Sequence, residues 1–299
     1  MRYGTARHGW LFALSLLLLP VPLGGGRPAA AAVDDAGALR PGGIVRVDGI
    51  SLVIPGPGRG VWGAVLDVRG LWRSVGVKTA PDGSVTIVHP QEVPPQGPAP
   101  AGRSDPCTDK AYTLYPNTWN TLFQWRFNVS TTPSEVSQDN ATSAVKDAVK
   151  NITHADNDCG MSDKVSATQL YKGTTTKTPN EGSNSSCLGS DGTSVVAFGD
   201  LASTDLGFTC WWTSGNNTVE ADIRLNKVEF SWVVNIGPSC VTKYSVEAVA
   251  THEFGHAFGL GHVSELLHGS LTMSPVILPC QSSEKTLGKG DVLGLEAQY

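Results

Sequence analysis

Residues 249–262, Val249-Ala250-Thr251-His252-Glu253-Phe254-Gly255-His256-Ala257-Phe258-Gly259-Leu260-Gly261-His262, decide how this chain is read. The run from Tyr244 to Gly259 has the apolar density of a buried helix. On a helix His252 and His256 stand one turn apart on one face, so two imidazoles can meet one metal ion. Glu253 lies beside the first of them in sequence, within reach of a metal-bound water without taking a ligand position itself. Gly259 offers an inexpensive helix ending because glycine accepts positive φ, and the chain can then turn back to deliver His262. Three neutral imidazoles leave one coordination position open, which is the pattern of a catalytic zinc site and not of a closed structural one. His268 is a competing imidazole, read as a loop residue because His262 completes the set at tighter spacing.

Outward from this run, residues 105–299 read as one α+β domain. Phe123, Trp125, Phe127 and Val129, spaced two apart, predict a strand. A helix should follow, with Thr132 and Glu135 as a capping box, Pro133 in its first turn, and Ala141, Val145, Ala148, Val149 and Ile152 at helical spacing. Val195, Val196 and Phe198, then Ala221 to Leu225, then Phe230, Trp232 and Val234 are further strand candidates. Gly173 to Ser190, rich in Thr, Ser, Asn and Gly, reads as a long surface loop. Asp291 to Tyr299 predicts a short terminal helix, its acid beside the positive helix end.

The histidine run, followed by Leu271-Thr272-Met273-Ser274-Pro275, resembles the metzincin clan of zinc metalloproteases, and most closely the matrixin-like secreted members. Asp291 to Tyr299 is similar to their closing helix, and Ala221 to Asn226 resembles their edge-strand region. The likeness covers residues 105–299. It implies a zincin-like α+β catalytic domain with a twisted five-stranded mixed sheet, two long helices and a C-terminal helix. It further implies that His252, His256 and His262 bind one Zn2+, that Glu253 is the general base, and that Met273 forms the methionine turn beneath the metal. Ca2+ is a second cofactor the resemblance suggests. Asp156, Asp158 and Asp163 form a local acid cluster that a cation could touch, although a solvated loop accounts for it as well. Val263 stands where matrixins commonly carry serine and Ser274 replaces their frequent tyrosine, so the floor of the specificity pocket cannot be copied from a relative. A gluzincin-like arrangement would need a carboxylate ligand, but Glu265 and Glu284 sit in no obvious second ligand-bearing helix.

The N-terminal third differs in kind. Arg2 and Arg7 precede the apolar run Trp10 to Leu19, then a small-residue stretch at Ala29 to Ala32, the pattern of a secretory signal over residues 1–32. The run is too short to span a bilayer comfortably, which argues against stable membrane insertion. Residues 33–104 contain 13 Gly and 9 Pro and no cysteine. Short strand-like pieces at Ile44 to Val47, Gly63 to Val68 and Ser84 to Val88 make residues 33–89 a β-prone accessory or pro-region. The Pro-rich residues 90–104 read as a linker.

The 299-residue chain carries 22 Lys+Arg against 27 Asp+Glu, a net charge of −5, and without residues 1–32 the balance becomes 19 against 27. An acidic exported protein is a poor nucleic-acid binder. Export also turns an even count of six cysteines toward disulfides, with fifteen complete pairings open. Cys240 with Cys280 would tie the entry of the zinc helix to the segment after Met273. Cys159 with Cys187 would close the polar loop, leaving Cys107 with Cys210. No cysteine precedes Cys107, so no thiolate in the N-terminal region can hold a precursor inactive by ligating zinc. Inhibition by that region would have to block the cleft or use another ligand, for which Asp67 and His89 are the candidates.

The function expected is secreted, zinc-dependent hydrolysis of peptide bonds by a monomer, with a polypeptide lying extended along an exposed edge strand. The alternative is a catalytically inactive zinc-bearing extracellular interaction module. No Gly-x-Ser-x-Gly elbow, phosphate loop, dinucleotide fingerprint or Cys-x-x-Cys pair competes. Five glycosylation sequons start at Asn128, Asn140, Asn151, Asn184 and Asn216.

Overall fold

The computed structural model describes residues 39–90, 92–93 and 105–299; the expected signal segment 1–32 lies outside the described residues. Eight strands form the main sheet: β1 (Arg59–Asp67), β2 (Arg73–Thr79), β3 (Val85–Val88), β4 (Phe123–Phe127), β5 (Gln169–Thr174), β6 (Ser194–Gly199), β7 (Asp205–Ser214) and β8 (Asn217–Asn226). Their spatial order is β3-β2-β1-β7-β8-β6-β4-β5. Pairing is parallel from β5 through β4 and β6 to β8, then antiparallel from β8 to β7 and onward to β3.

This corrects the expected architecture. A zincin-like region with a mixed sheet and three substantial helices is present, but its strands do not stand as an isolated five-stranded sheet. The outer edge of β7 presents unpaired N–H and C=O groups, and β1 satisfies them along its length, from Asp205 opposite Asp67 to Ser214 opposite Arg59. Ala221 to Asn226 does not lie at an edge either: it belongs to β8, between β7 and β6. Hydrogen-bonded strands therefore cross the compositional change at residue 105, and Glu92–Val93 of the Pro-rich stretch also pairs with Thr113 and Tyr112.

Helices α1 (Gln138–Thr153), α2 (Val246–Ala257) and α3 (Lys289–Gln298) complete the framework. The α1 cap is Ser137, whose hydroxyl accepts from the Asn140 N–H, and not Thr132. Thr132 ends a short 3-10 turn, and Glu135 is used elsewhere, accepting the Trp232 N–H at 3.1 Å. Ala141, Ala144, Val145, Ala148, Val149 and Ile152 form the buried stripe of α1, and α2 is buried on nearly every side. These faces pack on Phe123, Trp125, Phe127, Phe198, Ile223 and Leu225 of the sheet in the main core. On the opposite sheet face a second core joins Val61, Val65, Val75 and Val77 to Phe208 and Trp212. The hairpin of Ile44–Val47 and Ile50–Val53 covers it. Two sequon asparagines, Asn128 and Asn151, are buried with their amides donated to Lys177 O and Lys285 O.

The disulfides are Cys107–Cys159, Cys187–Cys210 and Cys240–Cys280. The expected pairs Cys107–Cys210 and Cys159–Cys187 are overturned by the layering. Cys210 alternates with Thr209 and Trp211 along β7 and so points into the second core. There Ser186–Cys187 lies against Ile50–Val53. Cys107 instead sits beside the start of α3, where Pro106 O accepts the Lys289 N–H. No helix of the described residues is long and apolar enough to cross a membrane. Peptide mapping of the non-reduced protein is expected to recover the three linkages seen here. Recovery of a Cys159–Cys187 peptide would contradict this packing.

Candidate metal centre

The Ser245 hydroxyl caps α2 by accepting the Ala248 N–H, and the helix carries His252 and His256 on one face. Gly259, at φ +95°, reverses the chain. Leu260–Gly261 then pairs with Leu114 and Thr113, which brings His262 back over the helix. The His262 Nε2 lies 3.0 Å from His252 Nε2 and 3.1 Å from His256 Nε2. All three side chains are fully buried.

The outer nitrogens explain why this cluster fits a metal. His252 Nδ1 is 2.7 Å from Thr272 O and His256 Nδ1 is 2.8 Å from Leu260 O, so each carries its proton there and aims a lone pair inward from Nε2. Two such lone pairs face His262 Nε2, and a cation among the three nitrogens would be held by all of them. A tetrahedral zinc with Zn–N bonds of about 2.0–2.1 Å needs nitrogens roughly 3.3 Å apart, close to the spacing present. Among the described residues, these three form the group of His, Cys, Asp or Glu that could hold a metal ion.

Met273 lies under α2, and Gly255 makes room for it: a Cβ there would stand 2.3 Å from Met273 Sδ. The turn is held from below by Asp291 at the start of α3, which accepts the N–H groups of Thr272 at 2.9 Å, Met273 at 3.2 Å and Gly288 at 2.9 Å. Burial nonetheless pushes the Asp291 carboxyl up to about 6. Because Thr272 O in turn receives the His252 proton, α3 and the metal ligand are joined by a single chain of hydrogen bonds. Gly255→Ala should displace Met273 and weaken zinc affinity by about tenfold or more, as read by competition with a chromogenic chelator.

Glu253 is fully buried. Its Oε2 accepts the Thr209 hydroxyl of β7 at 2.5 Å, while Oε1 has no hydrogen-bond partner. The absent side chain of Gly207 leaves its space to this carboxylate, since a Cβ would lie 2.3 Å from Oε1. Burial pushes Glu253 up to about 8; the Thr209 bond opposes the shift and the Asp205 charge adds to it. Nothing in the sequence marks Thr209 or Gly207, because only the pairing of β7 with β8 places them against α2.

The other candidates are occupied elsewhere. His268 Nδ1 is 2.9 Å from Asp109, which keeps it out of the ligand set. Glu265 accepts the Ser274 hydroxyl, and Glu284 is buried in the Ser283–Lys285 turn. Asp156 pairs with Lys150 at 3.0 Å, Asp158 accepts the Thr286 hydroxyl at 2.8 Å, and Asp163 accepts the Val165 N–H at 2.9 Å. Asp67 is engaged by Arg69 and Arg73, and neither it nor His89 belongs to the metal group.

Burial pushes His252 down to about 4 from 6.5 and holds His256 and His262 well below the usual range. Between about pH 4 and 6.5 these three groups therefore bind fewer protons in the metal-free folded protein than in the unfolded chain, so their contribution to stability is lost as pH is lowered, while the raised carboxyls of Glu253 and Asp291 oppose the loss. His252 alone contributes on the order of 3 kcal/mol to this loss. In chelator-treated protein, NMR of the three imidazoles should show them still neutral at pH 5.5; titration of any of them near 6.5 would contradict buried neutral imidazoles.

Residues 202–299 match the family model of the matrixins, the Peptidase_M10 family. No curated protein matches the chain. The matched segment contains His252, His256, His262, Glu253, the Met273 turn and its Asp291 support, so residues 202–299 are similar to the matrixins and the histidine triad is consistent with a metzincin zinc site.

Proposed function

We propose that this chain is a secreted zinc-dependent endopeptidase. The observation that carries the reading is the approach of His262 Nε2 to within 3.0–3.1 Å of the Nε2 atoms of His252 and His256, beside a buried carboxylate with one free oxygen. When bound by His252, His256 and His262, zinc supplies Lewis acidity that polarises a scissile carbonyl and lowers the pKa of water. Glu253 does the proton work. Its Oε1 accepts the proton of the attacking water and returns it to the leaving amine nitrogen, while the Thr209 hydroxyl holds Oε2 and fixes the plane of the carboxylate. Hydrolysis then needs no covalent intermediate with the protein.

Three disulfides support an oxidising compartment, in keeping with the signal-like residues 1–32. The division into a β-prone region over 33–89, a linker over 90–104 and a catalytic domain over 105–299 remains part of this proposal.

Glu253→Gln is expected to retain one zinc per chain and lose casein hydrolysis by about 10²–10⁴-fold. His262→Ala should lose the zinc itself, measured by metal analysis after gel filtration. Zinc retained by His262→Ala would move the third ligand elsewhere. A processed, zinc-loaded wild type that cuts neither casein nor a peptide library would favour the inactive interaction module.

A further inference from the structure

The phenol of Tyr115 is buried beside the metal centre, and the proton work assigned to Glu253 gives it no task. Tyr115 is 1% exposed, and its hydroxyl has no hydrogen-bond partner among the described residues. An unpaired buried hydroxyl is destabilising, whereas phenylalanine would fill the same space with no polar atom to satisfy. The Ser74 hydroxyl beside it does not relieve the phenol. That oxygen accepts the Trp72 Nε1–H at 3.2 Å and stands outside hydrogen-bonding geometry to Tyr115.

Every part of Tyr115 is tied to the elements that build the metal centre. Its N–H donates to Gly259 O at 2.9 Å, at the reversal that delivers His262, and its carbonyl accepts the side-chain amide of Gln298 in α3 at 3.1 Å. The ring lies edge-on to Trp211 of β7 at 4.6 Å and to the ligand His256 at 6.2 Å. Burial raises the phenol above its ordinary value; the Ser74 hydroxyl opposes the shift and the Glu253 charge adds to it. The hydroxyl therefore keeps its proton at neutral pH and faces its surroundings as a donor. Tyr115 lies outside residues 202–299, the segment that matches the matrixins.

Peptide hydrolysis calls for two polar groups of opposite kind. As the water oxygen bonds to the scissile carbon, the π electrons of the carbonyl pass to its oxygen and a water proton passes to an acceptor. Collapse then breaks the C–N bond and returns that proton to the amine nitrogen. Glu253 Oε1 is an unpaired buried acceptor and the Tyr115 hydroxyl an unpaired buried donor, both set against α2. We propose that Tyr115 is a catalytic hydrogen-bond donor, its hydroxyl bonding to the scissile carbonyl oxygen as that oxygen becomes an oxyanion. The phenol keeps its own proton throughout, and the partner it lacks inside the protein is the one that substrate brings. The inference rests on the peptidase reading.

The test is Tyr115→Phe in the full-length, zinc-loaded protein, which removes one oxygen and keeps the ring against Trp211 and His256. The variant should retain one zinc per chain, and its Tm should equal or exceed that of the wild type, because an unpaired polar atom has been deleted. A fall in Tm of several degrees would assign the hydroxyl to the fold and overturn the proposal. In the protein as secreted, kcat on a casein-derived peptide should fall by about 10–100-fold while KM changes by less than about twofold. Affinity for a phosphinic tripeptide, whose tetrahedral P–O⁻ reproduces the developing charge, should weaken by about tenfold or more. A mercaptoacyl tripeptide, which has no such oxygen, should bind both proteins alike. Unchanged kcat would overturn the proposal, and so would equal weakening of both probes. A wild type that hydrolyses no peptide, yet binds the phosphinic probe more tightly than Tyr115→Phe does, would uphold donation to the oxyanion position and defeat the peptidase reading.

Discussion

Three imidazole lone pairs aimed at one point from inside the protein impose the constraint on which the rest of this structure depends. His262 Nε2 stands 3.0–3.1 Å from the Nε2 atoms of His252 and His256, whose outer nitrogens are anchored while His262 Nδ1 has no hydrogen-bond partner. The anchors come from distant parts of the chain. Thr272 O holds His252 and is itself positioned by Asp291 at the start of α3, while Leu260 O holds His256 after the Gly259 reversal. The close approach of Met273 to Gly255 belongs to the same arrangement, since a larger residue at 255 would lift the turn that carries the Thr272 carbonyl.

Glu253 depends on a second constraint, the placement of β7. Thr209 and Gly207 face α2 because side chains alternate along a strand, and the same alternation sends Cys210 and Trp212 into the opposite core. One strand thereby orients the general base on one face and anchors a disulfide on the other. Its third relation, through the backbone edge, is to β1. An unsatisfied sheet edge is a liability, and an intramolecular strand removes it.

The chemistry was legible because it is local. The ligand spacing, the adjacent glutamate and the glycine that turns the chain lie within eleven residues, and helical periodicity alone brings two of the imidazoles together. The buried stripe of α1 and the strand Phe123–Phe127 were readable for the same reason. The start of α1 was not: Thr132 and Glu135 have the spacing of a capping box, but Glu135 is drawn away to the Trp232 N–H and Ser137 caps the helix instead. Two disulfide pairings also failed, because spacing along the chain carries no information about which face of a sheet a cysteine occupies.

By itself, then, the sequence determined the metal ligands, the base and the thiol-free character of the first hundred residues. These follow from residue type and short-range periodicity, which need no partner segment. Only the tertiary structure decided that Thr209 and Asp291 support the site, that Cys187 joins Cys210, and that the Gly/Pro-rich region adds three strands to the sheet. Each of these is a contact between segments far apart in the chain. Backbone hydrogen bonding, which formed the β1–β7 pair, is available to almost any residue and so leaves little trace in sequence.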